Sequence, residues 1–280
     1  MKMSTQVDLF TNVEPTSVSP AIAKPFVSRS TFYQGDCLVE MSKIADKSVD
    51  MILCDLPYNT TQAAWDLIIP FEPLWKQYER IIKDNGAIVI TSAEPFTSAL
   101  IMSKVELFKY RWTWNKSRPT NHLNAKKQPL RVIEDVCVFY KKQAVYNPQL
   151  RDRKRENIRT TNYIPDTSKN TLYGKVRIDY KYNEGRVIDI EKGYPLDYIE
   201  IVGVGTNSKE GRFHNTQKPV ELMEYLIKTY TNEGETVLDN CMGSGTTGVA
   251  CKKTGRHFIG IEKDEKYFDI AVSRVSAYCG

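Results

Sequence analysis

The sequence predicts an α/β fold built on a parallel β-sheet, and three observations support this prediction. The segment from Val49 to Cys54 is apolar at nearly every position, as is typical of a strand buried on both faces of a parallel sheet. Strand-like and helix-like segments alternate through most of the 280 residues. Two strand-like segments end in an aspartate, Asp55 and Asp239, and open α/β sheets bind ligands at the carboxyl ends of their strands.

The first half of the chain supplies the first elements of this sheet. Residues 1–28 are polar, rich in Ser, Thr and Pro, and without hydrophobic periodicity, so we expect a disordered tail. From Thr31 onward, strands alternate with helices. After the first strand, the predicted elements are a helix from Cys37 to Ile44, the strand from Val49, a helix from Glu72 to Lys83, and strands from Ala87 to Thr91 and from Val132 to Tyr140.

A basic segment lies between the last two of these strands. From Lys104 to Arg131 the chain holds eight basic residues and one acidic residue, with Trp112, Trp114 and His122 interleaved. Lys and Arg neutralise phosphates, while amides and aromatic rings hydrogen-bond to bases or stack on them. A solvated face is the common alternative for a charge run. The position of this segment between two strands favours a loop that faces DNA.

The α/β pattern stops between about Asn147 and Gly211, where the chain is polar and dense in Arg, Lys, Tyr and Asn. A flexible linker is one interpretation, although linkers tend to carry fewer aromatic residues. The pattern resumes with an amphipathic helix from Pro219 to Tyr230. The remaining predicted elements are a strand from Thr236 that ends in Asp239, a helical stretch that ends near Gly255, a strand from His257 to Ile261 and a helix from Glu265 to Val275.

The tetrad Asp55, Leu56, Pro57 and Tyr58 offers two hydrogen-bond acceptors at the end of a buried strand. Pro57 favours an extended geometry at Leu56, which restricts the direction of the Leu56 carbonyl. This carbonyl and the Asp55 carboxylate can together accept both hydrogens of an amino group, and a fixed carboxylate stabilises positive charge that develops on the nitrogen. Tyr58 can supply an aromatic face for a base. A strand end followed by a proline turn is the purely structural alternative.

A glycine-rich turn follows Asp239. Gly243, Gly245 and Gly248 satisfy the pattern G-x-G-x-x-G, and Glu262 lies 19 positions beyond the first of them. This is the dinucleotide-binding fingerprint, in which the backbone approaches the ligand closely and the acidic residue binds ribose hydroxyls. An NAD-dependent oxidoreductase is therefore one interpretation of the turn. A kinase-type phosphate loop is excluded because no Lys follows the last glycine.

Taken in order, these motifs resemble those of the β-class S-adenosylmethionine-dependent DNA amino-methyltransferases, in which the catalytic motif precedes the cofactor motif. The tetrad matches the family's D-P-P-Y, with Leu56 in place of the first proline. The turn at Asp239 matches D-P-F-x-G-S-G-T, with Asn240 for proline and Cys241 for phenylalanine.

Three further matches extend the resemblance from about Thr31 to the end of the chain, except its middle. The segment from His214 to Pro219 matches H-P-T-Q-K-P, with Asn215 for the first proline. Asp36 matches the acidic residue that contacts the adenine of the cofactor, and Glu262 matches the one that binds its ribose.

The resemblance implies a Rossmann-like methyltransferase sheet whose motif order is cyclically shifted, S-adenosylmethionine as the cofactor, and double-stranded DNA as the substrate. It further implies methylation of adenine N6 after the base is flipped into the site. Adenine is preferred because the family's cytosine enzymes more often begin the tetrad with Ser. Cytosine N4 methylation, an inactive DNA-binding relative and the NAD-dependent oxidoreductase stay open as alternatives.

The predicted site residues form three groups, and no metal site is predicted. The catalytic group is the tetrad. The cofactor group consists of Asp36, Cys37, Asp55, His214, Thr216, Lys218, Asp239, Cys241, Gly243, Gly245, Thr246 and Glu262. The DNA-binding group consists of Lys116, Arg118, Asn124, Lys126, Lys127, Arg131, Tyr140, Arg151 and Arg153. For Tyr140, which we place in the base pocket, a core aromatic is an equal alternative.

The resemblance also divides the chain. Residues 29–146 form the catalytic half of the methyltransferase domain, 147–212 a target-recognition insert, and 213–280 the cofactor-binding half. Relatives of this class suggest a homodimer. In the tail, a five-residue segment resembles the peptide by which bacterial replication proteins bind the sliding clamp, although so short a match occurs easily by chance. This segment is Gln6, Val7, Asp8, Leu9 and Phe10.

Composition agrees with an intracellular enzyme. The resemblance implies a cytoplasmic enzyme of a bacterium or phage that acts at the nucleoid, within a restriction-modification system or as an orphan methylase. With 280 residues and 41% hydrophobic content, the chain can bury one sizeable core. No apolar run is long enough to cross a bilayer, so no membrane partner is expected. The six cysteines lack metal-ligand spacing, which indicates reduced thiols.

Overall fold

The structure is a computed structural model, which describes residues 28–59, 67–152, 192–205, 208, 210–214 and 216–278. The strands are β1 Ser30–Gln34, β2 Val49–Asp55, β3 Ile82–Ser92, β4 Phe108–Thr120, β5 Arg131–Phe139, β6 Arg151–Asp152, β7 Lys192–Gly193, β8 Tyr198–Glu200, β9 Thr236–Asp239 and β10 His257–Glu262. The helices are α1 Cys37–Glu40, α2 Phe71–Ile81, α3 Phe96–Ser103, α4 Val220–Tyr230, α5 Thr246–Thr254 and α6 Glu265–Ser276, and short 3₁₀ turns cover Met41–Lys43 and His122–Asn124.

Eight of these strands form one sheet in the order β1-β10-β9-β2-β3-β5-β4-β8. The first five are parallel, whereas β5 runs antiparallel to both β3 and β4. Strands β9 and β10, from the second half of the chain, lie between β1 and β2. The carboxyl ends of β2 and β9 are therefore neighbours, and Asp55 and Asp239 lie at the same edge of the sheet. The predicted α/β fold class is confirmed.

Each central strand is buried on both faces, which explains its unbroken apolar sequence. On β2, Met51 and Leu53 belong to one hydrophobic core, while Ile52 and Cys54 belong to the other. Helices α4, α5 and α6 cover the first core, and α1, α2 and α3 cover the second. Because side chains alternate between the two faces of a strand, a helix layer on each face requires apolar residues at successive positions.

The predicted helices and strands are observed with ends that differ by a few residues. The largest difference among the helices is at Cys37–Ile44, where a four-residue α-helix continues as a 3₁₀ turn. The Asp36 carboxylate accepts a hydrogen bond from the Leu38 amide at 3.1 Å and so caps α1. The strand expected from Ala87 begins earlier, at Ile82.

The prediction of a loop between Lys104 and Arg131 is wrong for Phe108–Thr120, which form β4, and the connection from β4 to β5 spans residues 121–130. Trp112 and Trp114 are only 3% and 2% exposed, and their indole N–H groups donate to the Tyr230 hydroxyl and the Ile201 carbonyl at 2.7 and 2.8 Å. Both tryptophans therefore belong to the core of the domain rather than to an exposed loop. A strand with charged residues on its open face and tryptophans on its covered face has the mixed composition that suggested a loop.

Tyr140 directly follows β5, at the end of that strand opposite to the one where Asp55 lies. Its ring packs partly against the core and under the Lys109 ammonium, which is 5.4 Å from the ring centroid. Tyr140 does not line the cavity at the carboxyl ends of β2 and β9, in agreement with the core alternative. The hydrophobic pattern of the sequence predicts this strand, but it does not predict which end of the strand lies near the site.

Two predicted segments lie largely or wholly outside the described residues. The tail with the clamp-like peptide falls within residues 1–27, and residues 153–191 contain Arg153 and most of the predicted insert. The described end of the predicted insert includes β8, which pairs with β4 as the last strand of the main sheet. Among the described helices, none is long and apolar enough to span a membrane.

Candidate active site

A cavity of about 970 Å³ opens at the carboxyl edge of β2 and β9. Part of its wall comes from the tetrad and from residues near the ends of β4 and β5, and the other part from the glycine-rich turn, Asp36 and Glu262. The sheet order brings these distant segments together, since β2 and β9 pair directly. The cavity therefore joins both halves of the predicted site.

Nearly all the predicted cofactor residues line this cavity. They are Asp36, Cys37, Asp55, His214, Thr216, Lys218, Asp239, Cys241, Gly243, Thr246 and Glu262. Gly245 does not line it, because this glycine faces α6, where an added Cβ would be 3.0 Å from that of Ala271. Gly245 has a φ of +79°, so its role is to turn the chain into α5.

The Glu262 carboxylate fixes the glycine-rich turn from the neighbouring strand. It accepts the Gly243 amide at 2.8 Å and the Lys263 and Asp264 amides at 2.9 Å. A carboxylate has about four acceptor sites, so at least one remains for a ribose hydroxyl. Gly243 has a φ of +50°, and an added Cβ there would meet no atom within 4 Å, which leaves its backbone open to close approach.

Asp239 lies beneath this turn and is almost fully buried. Its carboxylate accepts the Thr247 hydroxyl at 2.6 Å and the Cys241 amide at 3.1 Å. Burial raises the pKa of Asp239 to about 7, although these two hydrogen bonds favour the charged form. The sequence marks Asp239 as a site residue but does not reveal that its charge is sensitive to pH near neutrality.

This raised pKa predicts a pH-dependent stability difference between the wild type and Asp239→Asn. An acid whose folded pKa lies above its unfolded value of 3.8 destabilises the fold as pH rises from 3.8 to about 7. The variant lacks this effect, so its free energy of unfolding relative to the wild type should increase over that range. Urea unfolding of both proteins between pH 5 and 8 measures it, with Asp269→Asn on the exposed face of α6 as the charge control. A difference that is constant with pH would contradict the prediction.

The two departures from the family's turn, Asn240 and Cys241, are accommodated by a buried polar cluster. The Tyr78 hydroxyl donates to the Asn240 side-chain oxygen at 2.6 Å, and the Asn240 amide is 3.5 Å from the Cys241 sulfur. Cys54 contacts the same hydroxyl at 3.3 Å. Cys241 is half-buried on the cavity wall beside the second core, so the thiol occupies part of the space that a phenylalanine would fill.

Three side chains converge on the Asp55 carboxylate. The Thr91 hydroxyl donates to Oδ1 at 2.6 Å, and the Tyr58 hydroxyl donates to the same oxygen. The Lys218 ammonium donates to Oδ2 at 2.7 Å. The carboxylate is thus fixed in position at the cavity wall while its side chain stays 25% exposed. Part of the Asp55 side chain is therefore accessible from the cavity, although Lys218 holds one of its oxygens.

Lys218 also belongs to a chain of buried charges that continues to Glu134, near the start of β5. Its ammonium lies 3.4 Å from Glu134 Oε2, and Glu134 Oε1 accepts a hydrogen bond from Lys116 at 2.8 Å. Burial alone would lower the pKa of Lys218, but the two carboxylates raise it well above its ordinary value. Lys218 therefore carries its positive charge at neutral pH and is not a base.

Tyr58 and several apolar side chains form the part of the cavity wall beside Asp55. The Tyr58 ring stacks on Phe96 with centroids 5.1 Å apart and an interplanar angle of 26°. Other apolar residues that line the cavity include Leu67, Ile68, Ile69, Pro70, Ala93, Trp114, Ile133 and Val204. A flat apolar ligand with a polar edge fits such a wall, because apolar faces bury ring surface while Asp55 meets the polar edge.

The predicted DNA-binding residues separate into several groups. Arg118 and Arg131 line the mouth of the cavity, and Lys126 and Lys127 are exposed on the loop between β4 and β5. Asn124 on this loop donates to the Asn121 side chain at 2.7 Å. Two others lie elsewhere. Lys116 is buried against Glu134 inside the cavity, and Arg151 lies on β6 and donates to the Tyr194 carbonyl at 3.1 Å.

Sequence reasoning missed three residues of the site, namely Thr91, Glu134 and Arg274. Arg274 on α6 donates to the Ser244 carbonyl at 3.1 Å and to the Thr246 hydroxyl at 3.2 Å, and so supports the turn from below. Glu134 carried one detectable signal, because it begins an acidic pair inside an otherwise apolar strand. Thr91 and Arg274 carried none, since their partners are remote in sequence.

The donor and acceptor groups of the cavity fit S-adenosylmethionine. Two carboxylates, Asp36 and Glu262, stand at the ends of strands that pair with each other, and the open backbone at Gly243 lies between β9 and β10. These acceptors suit the adenine amine and the ribose hydroxyls, respectively. A Rossmann-like sheet that carries this cavity together with an acidic D-x-P-Y tetrad defines the class of S-adenosylmethionine-dependent amino-methyltransferases.

Comparison with known proteins gives the same class. A family model described as DNA methylase matches residues 49–273. The DNA adenine methyltransferase YhdJ of Escherichia coli (strain K12) is 30% identical over 258 residues, which cover 88% of this chain and 82% of the relative. The type II methyltransferase M1.MboII of Moraxella bovis is 27% identical over 253 residues, with 85% and 94% covered.

Solved structures share the fold. The crystal structure of M1.HpyAVI has a TM-score of 0.58 at 24% identity and covers 89% of this chain and 100% of its own. The cytosine-N4-specific PvuII DNA methyltransferase has a TM-score of 0.60 at 15% identity, with 88% and 86% covered. The chain belongs to the N6/N4 DNA methylase family, and its cofactor is S-adenosylmethionine. Both predictions are confirmed, and they exclude the NAD-dependent oxidoreductase.

Proposed function

We propose that this protein methylates the N6 amine of adenine in double-stranded DNA, with the target base flipped into the cavity beside Asp55. The observation that carries this proposal is the position of the Asp55 carboxylate, which Thr91, Tyr58 and Lys218 fix at the wall of a cavity shared with the cofactor residues. A duplex hides its amines in the base stack, so the base must leave the stack, at a cost of roughly a few kcal/mol.

The chain's own residues prepare the amine for reaction. The Asp55 carboxylate and the Leu56 carbonyl accept its two hydrogens, which favours a pyramidal nitrogen with a free lone pair. As the nitrogen becomes positive, the fixed carboxylate stabilises that charge. Tyr58 and the apolar wall bury the ring of the base. When bound, S-adenosylmethionine supplies an electrophilic methyl group, and the amine then loses a proton.

Adenine is favoured over cytosine by two observations. The tetrad begins with Asp55 rather than Ser, and a relative that is 30% identical is named a DNA adenine methyltransferase. Cytosine N4 is the same kind of amine, so the choice of adenine over cytosine needs its own measurement. Digestion of methylated duplex DNA to nucleosides, followed by mass spectrometry, decides between the bases. N6-methyl-2′-deoxyadenosine supports the proposal, and N4-methyl-2′-deoxycytidine contradicts it.

The remaining assignments complete the proposal. We assign residues 29–146 and 213–280 to one methyltransferase domain and 147–212 to target recognition.

The rim formed by Arg118, Arg131 and the loop 121–130 faces the DNA backbone, because its exposed basic residues border the mouth of the cavity. A homodimer, as for β-class enzymes, is also proposed.

Reversing two charges on this loop should weaken DNA binding. Lys126→Glu/Lys127→Glu removes two phosphate contacts, so the slope of log affinity against log salt should become shallower by about 2. Fluorescence anisotropy with a labelled duplex at several salt concentrations measures this slope. The matched control is Lys141→Glu/Lys142→Glu at the opposite end of β5, where the second lysine forms only an exposed ion pair with Asp84. Equal effects of the two double variants would contradict a DNA-facing loop.

A further inference from the structure

The Lys218 ammonium occupies a position that the proposed target amine requires. It donates to Asp55 Oδ2 at 2.7 Å, while Oδ1 already accepts two hydroxyl groups. It also lies 5.5 Å from the centroid of the Tyr58 ring, beside the surface that is expected to bury the base. A cation at Asp55 opposes the positive charge that develops on the methylated nitrogen, because like charges at this distance repel strongly in a buried site.

A second anion stands next to this ammonium. Glu134 Oε2 is 3.4 Å from Lys218 Nζ, and this oxygen is buried and accepts no hydrogen bond from the residues that the structure describes. The other oxygen, Oε1, is held by Lys116 at 2.8 Å, which fixes the carboxylate in place. Glu134 thus offers Lys218 an unused acceptor within a short movement of its side chain.

We propose that Glu134 is a positioning residue that draws Lys218 away from Asp55 when the target amine binds. The ammonium exchanges its hydrogen bond to Asp55 Oδ2 for one to Glu134 Oε2, and the amine of the base takes the vacated position. No covalent bond changes in this exchange, and Lys218 keeps its proton. The inference rests on the proposed function, because it requires Asp55 to bind an amine.

A double-mutant cycle of Glu134→Gln and Lys218→Met tests this role. The glutamine variant keeps the size of the side chain but removes the charge that attracts Lys218, so kcat for methyl transfer to plasmid DNA should fall about tenfold or more. The Kd for S-adenosylmethionine should change less than about twofold. In the Lys218→Met background there is no ammonium to displace, and Glu134→Gln should then change kcat by less than about twofold. Glu134→Asp, which keeps the charge, should restore part of the wild-type kcat.

Each rate is expressed per cofactor-binding protein, so partial unfolding does not imitate an effect on catalysis. Wild-type kcat in Glu134→Gln, equal losses in the two backgrounds, or no rescue by Glu134→Asp would overturn the inference. Complete inactivity of Lys218→Met would also overturn it, because Asp55 must remain a competent acceptor without Lys218. Asp55→Ala and the wild type, assayed in parallel, separate the two proposals: wild-type activity in Asp55→Ala refutes the role of Asp55 as the amine acceptor, whereas a wild type that transfers no methyl group to DNA refutes the proposed function itself.

Discussion

Replacing Asp55 by Ala should reduce kcat for methyl transfer to DNA by about 100- to 1,000-fold or more. The variant loses the carboxylate that accepts the amine hydrogens and stabilises the developing charge, and removal of one such fixed group costs about this much in other enzymes. Cofactor affinity should change far less, because Asp36, Glu262 and the glycine-rich turn remain. Single-turnover transfer of a tritiated methyl group to plasmid DNA measures the rate, and calorimetry measures cofactor binding.

The matched control for this variant is Asp50→Ala on the same strand. Asp50 lies toward the opposite end of β2, where it pairs with Lys83 at 2.6 Å and accepts the Thr236 amide at 2.9 Å. Its loss should lower the free energy of unfolding but leave the rate per folded molecule near that of the wild type. If Asp55→Ala methylated DNA as fast as Asp50→Ala, the carboxylate at the end of β2 would not be the catalytic group.

Replacing Glu262 by Ala should weaken binding of S-adenosylmethionine by about 100-fold. This carboxylate accepts three backbone amides that shape the turn and the start of the next loop, and it is the predicted partner of the ribose hydroxyls. Hydrogen bonds to a charged group contribute about 1.5–3 kcal/mol each, and 1.4 kcal/mol corresponds to a tenfold change in affinity. Calorimetric titration with the cofactor measures the change, and kcat at saturating cofactor should fall much less.

Glu235→Ala provides the comparison for this second variant. Glu235 also holds a turn, since its carboxylate accepts the Asn232 amide at 2.7 Å, but it precedes β9 at the edge of the sheet opposite to the cavity. Its loss should leave cofactor affinity unchanged. A Kd for Glu262→Ala equal to that of Glu235→Ala would show that Glu262 does not take part in cofactor binding.

Much of this fold could be predicted from the sequence because its strands are buried on both faces. Successive apolar positions such as Ile52 and Leu53 serve different cores, which makes the strand visible without any structural information. Strand β4 could not be predicted in this way, because only one of its faces is buried. One of its faces carries exposed Lys109 and Arg111, so its charge concealed a strand whose other face buries two tryptophans.

Site residues that belong to a short sequence motif could be predicted. Site residues whose contact partners are remote in sequence could not. Asp55, Asp239 and Glu262 each end a strand, and their motifs are contiguous in sequence. Glu134 on β5 meets Lys218, which directly precedes the N-cap of α4, only in the folded domain, and Thr91 reaches Asp55 because β3 pairs with β2 in that register. Strand order and register depend on the packing of the whole domain, so a local sequence pattern does not predict them.

The most direct test of the proposed function is single-molecule sequencing of genomic DNA from cells that express the protein, in a host without its own amino-methyltransferases. The proposal predicts N6-methyladenine at one short recurring sequence, and its absence from cells that express Asp55→Ala. N4-methylcytosine at the recurring sequence, or a genome without methylated bases although the purified protein binds S-adenosylmethionine, would contradict it.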